Sequence, residues 1–199
     1  VEADKPRACP EQHALAAHIR RCFETEDLRV DTEQLRHYLS LARYFPYERL
    51  FPWQECLTAL WNCTYTAEGR PRWKTLFCMV GRCAGKDGYI AFDAMCSTSP
   101  YNPVSRYNVD ICANNEEQAM TPVNDLVSVL ETPANQKKLN RFYFHTKELV
   151  QGRANRGVIK GRTNNPKGRD GMRSGKVIFN EVHQFENYNN IKVFVTGQG

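Results

Sequence analysis

The sequence predicts an α/β fold in which a parallel sheet is flanked by helices and preceded by a small helical N-terminal extension. Three observations carry this. The apolar run Leu76-Phe77-Cys78-Met79-Val80 leads into a glycine-framed turn, Gly81-Arg82-Cys83-Ala84-Gly85-Lys86-Asp87-Gly88, and then into a helical pattern. Val109, Ile111 and Ala113 alternate as one face of a second strand, and another helical pattern follows. Strand, helix, strand, helix is the order of parallel crossover units. A further apolar strand, Val177-Ile178-Phe179, stops at Asn180-Glu181.

In chain order, Leu15, Ile19 and Cys22 recur at helical spacing, and Asp31 is placed to cap a second helix with the stripe Leu35, Tyr38, Leu39 and Ala42. These helices belong to an extension expected over residues 1–46, with the main domain over 47–199. Tyr44-Phe45-Pro46-Tyr47 breaks the second helix, and a third begins near Pro52 with Cys56, Leu57, Leu60 and Trp61 on its buried side. A polar turn at 66–71 leads to a buried first strand at 74–80. Tyr89, Ile90, Phe92, Met95 and Cys96 predict the helix after the glycine turn, and residues 97–103 are loop chemistry. The second strand falls at 107–113, and its helix passes through Gln118, Met120, Leu126, Val129 and Leu130. Residues 139–143 read as helical, while 148–150 and 157–160 read as short strands able to pair.

With 199 residues and a globular composition, the chain can bury one core with a small appendage. It has no apolar run of membrane-spanning length and no signal pattern, so a protein without a membrane partner, not exported, is expected. The eight cysteines all lie in the first part of the chain, several within apolar patterns, and read as reduced cytosolic thiols. Zinc is the alternative for Cys78 and Cys83, although no histidine lies near them. Val1 and Gly199 read as cut ends, which points to a piece of a longer protein. The net charge of +5 is concentrated: Arg153, Arg156, Lys160, Arg162, Lys167, Arg169, Arg173 and Lys176 face the single acid Asp170. Such a block is either a solvated face or a contact for nucleic-acid or nucleotide phosphates.

The glycine turn has the layout of a phosphate-binding loop, in which backbone N–H groups and a helix N-terminus meet phosphate oxygens and a lysine adds a point charge. It departs from the usual spacing, with three residues rather than four before Gly85-Lys86 and Asp87 where a hydroxyl is usual. An ordinary glycine turn before a helix is the alternative. Asn180-Glu181 supplies the strand end that nucleotide hydrolysis needs beside such a loop, with Glu181 as the base. Asn180 puts a neutral carbonyl where a carboxylate is usual, and Asp87 is expected to restore that charge on the Mg2+ side, with Asn180 hydrogen-bonding the same shell. Asp87 favouring the helix dipole alone is the simpler reading. Upstream, Trp53-Gln54 offers a ring and an amide for adenine, against the plainer reading of core plus cap.

Taken in order, Phe51-Pro52-Trp53-Gln54, the Gly81 to Gly88 loop, Ala113-Asn114-Asn115-Glu116-Glu117-Gln118-Ala119 and Val177-Ile178-Phe179-Asn180-Glu181-Val182-His183 resemble the adenine motif, Walker A loop, post-strand motif and Walker B strand of tailed-bacteriophage large terminase subunits. The resemblance runs from about Leu50 to the C-terminus. It implies a P-loop NTPase fold of the ASCE type and an ATPase that packages viral double-stranded DNA, using ATP and Mg2+. Its expected partners are a portal and procapsid, a small terminase subunit and a homo-oligomeric ring, in the bacterial host cytoplasm. It implies that Lys86 holds the β- and γ-phosphates, Glu181 activates water, Arg82 contacts the γ-phosphate, and Trp53 and Gln54 sit at the adenine. Nucleotide contacts are expected from Gly81, Arg82, Cys83, Ala84, Gly85, Lys86, Asp87 and Gly88, metal contacts from Asp87 and Asn180, and DNA contacts from Arg153, Arg156, Lys160, Arg162, Lys167 and Arg169. The tail from Asn190 to Gly199 reads as a segment before the family's coupling motif, so a fragment lacking that motif and the nuclease domain is expected. A helicase-like translocase and a catalytically silent nucleotide- or DNA-binding module are the competing readings.

Overall fold

In a computed structural model, the described residues are 8–163, 174–185 and 191. Helix α1 (Pro10–Thr25) opens on Pro10, whose missing N–H is one that a first turn leaves unpaired anyway. Helix α2 (Thr32–Leu41) is capped as expected, with the Asp31 carboxylate accepting from the Gln34 N–H at 2.9 Å. Between them β1 (Leu28–Val30) pairs antiparallel with β2 (Thr64–Thr66), a ribbon that the sequence pattern did not announce. Helix α3 (Pro52–Leu57) opens on Pro52 and passes directly into a π-helical turn, Thr58–Asn62.

Helix α4 (Lys86–Ser97) starts at the glycine turn and is buried from Tyr89 to Ser97. Then follow β3 (Val109–Ala113), α5 (Glu116–Glu131), α6 (Pro133–Leu139), β4 (Tyr143–His145), β5 (Leu149–Gly152), β6 (Val158–Thr163) and β7 (Lys176–Phe179). The five-stranded sheet has the order β4-β5-β6-β3-β7. Strands β6, β3 and β7 are parallel, whereas β4, β5 and β6 alternate in direction. The sheet is therefore mixed rather than parallel. The short loops at 146–148 and 153–157 can only reverse the chain, because a parallel crossover needs about a dozen residues or more.

Helix α5 lies across one face of the sheet, where Val123, Leu126, Val129 and Leu130 pack with Val109, Ile111, Val150 and Ile159. Tyr38, Leu41, Ala42 and Phe45 belong to this same core. The close approach of α5 to β6 depends on Gly161, where an added Cβ would stand 2.6 Å from Met120 Sδ and 2.9 Å from the Ala119 carbonyl oxygen.

Two expected elements differ. Residues 139–143 do not continue a helix: α6 ends at Leu139, and Tyr143 opens β4 with its hydroxyl donating to the Met95 carbonyl at 3.0 Å. The pairing of 148–150 with 157–160 is realised, with Val150 opposite Ile159. The buried strand expected at 74–80 joins no ladder among the described residues, and Phe77 and Met79 are 81% and 87% exposed. An apolar run records that side chains can be buried, but burial and pairing need a neighbour. Strand β7 is the last strand of the sheet, and no described strand lies beyond it.

Candidate functional site

The glycine turn and the end of β7 meet at Lys86. Gly85 (φ 81°) and Cys83 (φ 61°) hold left-handed backbone, so the turn closes tightly before α4 begins. Gly85 also has close neighbours: a Cβ there would stand 3.0 Å from the Phe51 ring and 3.1 Å from Gln54 Nε2, so both side chains would have to shift by a few tenths of an ångström. On the other side, the Asn180 N–H donates to the Cys112 carbonyl at 2.8 Å, which carries the β3–β7 pairing one residue past the strand. Glu181 then adopts φ 54°, a left-handed conformation unusual for glutamate. Strain of this kind recurs at functional positions.

The Lys86 ammonium donates to Asn180 Oδ1 at 2.6 Å, Glu181 Oε1 at 2.6 Å and Asp87 Oδ1 at 3.1 Å. Asn180 Nδ2 donates to Asp87 Oδ1 at 3.2 Å, so the amide bridges the lysine and the aspartate. Burial acts to lower the Lys86 pKa, but hydrogen bonds to Glu181 and Asp87 and the charges of both carboxylates outweigh it and raise the pKa above its ordinary value. His183 Nδ1 stands 3.3 Å from Glu181 Oε2. The oxygens of Asp87, Asn180 and Glu181 thus converge on one cation. Among the described residues, no group of three or more His, Cys, Asp and Glu side chains is arranged to hold a metal ion.

The other expected site residues fall as follows. Gln54 is buried against the loop; its Nε2 donates to the Gly85 carbonyl at 3.0 Å, and its Oε1 accepts from the Phe51 N–H at 2.8 Å. Both ends of the amide are thus committed to backbone. Trp53 packs beside Tyr89 with ring centroids 5.5 Å apart. Gly81, Arg82 and Cys83 are exposed, Ala84 is half-buried, and the Gly88 carbonyl accepts from the Tyr47 hydroxyl at 3.0 Å. Gln118 donates through Nε2 to Gln184 Oε1 at 2.9 Å, while its own Oε1 is buried with no hydrogen-bond partner among the described residues.

Sequence reasoning missed a buried cluster beneath this site. Lys176, the first residue of β7, donates to Asp93 Oδ1 and Oδ2 at 3.0 Å each and to Asn62 Oδ1 at 2.8 Å. Its Nζ lies 4.3 Å from the centroid of the Trp61 ring, and Asn62 Nδ2 donates to Asp93 Oδ1 at 2.7 Å. The side chains of Lys176 and Asp93 are 7% and 2% exposed. An aspartate inside the apolar run Ile90-Ala91-Phe92-Asp93-Ala94-Met95 was the available signal, since buried charges are paired. This ammonium ties the π-helical turn that follows α3 to helix α4 and strand β7, the segments that lead to Gln54, Lys86 and Glu181.

The basic stretch divides. Arg162 Nε donates to the buried Asp110 at 2.8 Å, and Ser174 donates to the second oxygen of that carboxylate. Lys160 lies half-buried on β6, opposite Asp110 of β3. Arg153 and Arg156 are exposed in the turn between β5 and β6. Lys167, Arg169 and Arg173 lie outside the described residues. Cys78 and Cys83 are exposed, and no cysteine forms a disulfide. Among the described residues, no helix is long and apolar enough to cross a membrane.

No family model matches the chain, and no curated protein matches it. Among solved structures, the crystal structure of the HK97 bacteriophage large terminase is similar, with a TM-score of 0.68 at 20% sequence identity over 86% of this chain. The matched region is 36% of that protein, so the chain spans about a third of its length. At this identity the likeness is one of fold, a mixed α/β sheet flanked by helices.

Proposed function

We propose that the chain is the ATP-hydrolysing portion of a tailed-phage large terminase subunit, a Mg2+-dependent P-loop NTPase whose turnover drives double-stranded DNA into a procapsid. The observation that carries this reading is the meeting of Lys86, at the start of the helix after the glycine turn, with Asn180 and Glu181 at the end of a parallel strand. The fold shared with a large terminase supports it. A ring of subunits, a portal, a small subunit and action in the host cytoplasm belong to the same proposal.

In this reading Lys86 and the N–H groups of the loop hold the β- and γ-phosphates, and the left-handed turn with the N-terminus of α4 directs positive potential at them. Glu181 accepts the proton of the attacking water. To do so its Oε1 must first part from Lys86, and a phosphate oxygen taking over the ammonium provides the exchange. His183 remains beside the second oxygen and orients the carboxylate. The convergent oxygens of Asp87, Asn180 and Glu181 are the hard donors that Mg2+ prefers, so Asp87 and Asn180 would hold it, through water. Bound there, Mg2+ would neutralise charge on the phosphate oxygens. Base recognition by Trp53 and Gln54 requires the Gln54 amide to exchange one backbone partner for adenine. Arg82, exposed in the loop, is available to the γ-phosphate.

The test is DNA-stimulated ATPase activity of the chain beside Lys86→Ala and Glu181→Gln. Loss of turnover in both, with nucleotide binding kept in Glu181→Gln, is the expected result. Turnover unchanged in Lys86→Ala refutes the assignment. A catalytically silent module is the second reading, favoured by Asn180 and by a lysine already satisfied within the protein; it predicts binding without turnover in every form.

A further inference from the structure

At the end of the sheet away from Lys86, the turn between β5 and β6 displays Arg153 and Arg156 from a backbone that is closely built. Gly152 admits no side chain, because a Cβ would stand 1.9 Å from the Thr98 carbonyl oxygen, and at Gly157 it would stand 2.4 Å from the Tyr107 carbonyl oxygen. The buried Asn155 locks the loop: its Oδ1 accepts from the Gly157 N–H at 2.7 Å, and its Nδ2 donates to the Ser97 carbonyl at 3.2 Å. Arg156 is thereby held at φ 59°, where a long side chain is unfavourable. Arg153 is pinned through Nε, which donates to the Asn140 carbonyl at 2.9 Å and the Tyr143 carbonyl at 3.1 Å. Its other N–H groups are free of that role.

These arginines line a cleft of about 260 Å³ together with Phe144, Gln151 and Gly152. Phe144 and Gln151 sit opposite one another on β4 and β5. Phe144 is 44% exposed, and the Arg153 guanidinium lies 5.8 Å from its ring centroid. The lining holds two cations and no carboxylate, so its complement is an anion. It also holds a ring and an amide, which a bare phosphate would leave unused. We propose that this cleft binds single-stranded nucleic acid, with Arg153 and Arg156 on a phosphodiester, an unpaired base on Phe144 and its edge on the Gln151 amide. Duplex DNA keeps its bases stacked and offers the ring nothing, whereas base-on-ring contact is the common device of single-strand binding. The inference rests on the proposed function only in taking nucleic acid as a partner.

The experiment is anisotropy of a short labelled oligothymidylate and of a duplex of equal length, titrated with the whole chain over a salt series. Two variants spare the fold: Phe144→Leu keeps an exposed apolar residue, and Arg156→Gly suits the left-handed backbone. Phe144→Leu is expected to weaken single-strand binding about tenfold and to leave duplex binding unchanged. Arg156→Gly is expected to lower the salt slope for the single strand by about 0.7, the loss of one phosphate contact. Single-strand affinity unchanged in Phe144→Leu, or single-strand and duplex affinities falling together, overturns the proposal. Lys86→Ala, which tests the nucleotide site, is expected to leave oligonucleotide binding intact, so the two readings fail separately.

Discussion

The Lys176–Asp93 pair beneath the candidate site allows the sharpest test of how the fold positions Glu181. At 3.0 Å and an effective dielectric of about 20, the attraction between the two charges is on the order of 5 kcal/mol. Desolvating both ions cancels much of that, so the pair as a whole adds little net stability. Removing one partner is different, because it strands a buried charge. Among the described residues, Lys176→Met leaves Asp93 with only the Asn62 amide, and Asp93→Asn leaves the ammonium over Trp61 without a counterion. Each is expected to cost about 3–5 kcal/mol. For a chain of this size that is a fall of about 6–20 °C in Tm. The double variant is expected to lose at least about 2 kcal/mol less than the sum of the single losses. Urea unfolding of the wild type, both single variants and the double variant measures the cycle. Nucleotide affinity should also fall in each single variant while it is still folded, since the pair fixes β7 against α4, and a slip of one residue would turn each β7 side chain to its other face and carry Asn180 and Glu181 away from Lys86. Single losses under about 1 kcal/mol, or strict additivity, would mean that Lys176 and Asp93 do not depend on each other for burial.

Three further outcomes follow from the geometry. Asp87→Ser and Asn180→Asp should each weaken ATP turnover and should be partly mutually compensating when combined, as read from a double-mutant cycle of kcat/KM; strict additivity would remove the link between the two residues. Gly152→Ala forces a Cβ to within 1.9 Å of the Thr98 carbonyl and should destabilise by about 1–3 kcal/mol or more in thermal melts, whereas at Gly81, with nothing within 4 Å of an added Cβ, alanine should leave the melt unchanged. The folded pKa of Lys86 is raised above about 10.5, so the stability it contributes is complete below that value and fades as pH rises through the folded pKa. Denaturant midpoints measured across this alkaline range should therefore drop more steeply for the wild type than for Lys86→Met.

What the sequence made legible was whatever has a local cause. Asp31 before an apolar stripe announced a capped helix, and Gly85-Lys86 announced the start of α4, because caps and left-handed turns are decided within a few residues. The pairing of β5 with β6 was legible because a short turn joins them. Contacts across long separations were not. Lys176 meets Asp93 across 83 positions, and Arg162 meets Asp110 across 52. The latter withdrew one arginine from the basic stretch that looked uniformly available. Strand identity at 74–80 failed for a related reason: Phe77 and Met79 have strand-like periodicity, but periodicity does not supply pairing, and among the described residues the run joins no ladder and both side chains stay exposed. Among the site residues, Lys86, Asn180 and Glu181 do come together, whereas the Gln54 amide meets backbone at both ends.

The contacts around Lys86 also give a physical reason for the two departures of the glycine loop and the β7 end to occur in one chain. Asp87 Oδ1 already accepts from Lys86, and its second donor is the Asn180 amide at 3.2 Å. An aspartate at 180 would lose that donor and set two carboxylates against each other at the same distance, with one ammonium to share. Asparagine avoids the repulsion because it accepts from Lys86 through Oδ1 while donating to Asp87 through Nδ2. Conversely, a hydroxyl at 87 facing asparagine at 180 would leave Glu181 as the sole counterion among these three positions. Asp87 with Asn180 therefore carries the same formal charge as a hydroxyl with an aspartate, moved from the strand to the helix. The pair places that charge beside Lys86 without crowding Glu181, which keeps its own 2.6 Å contact with the ammonium.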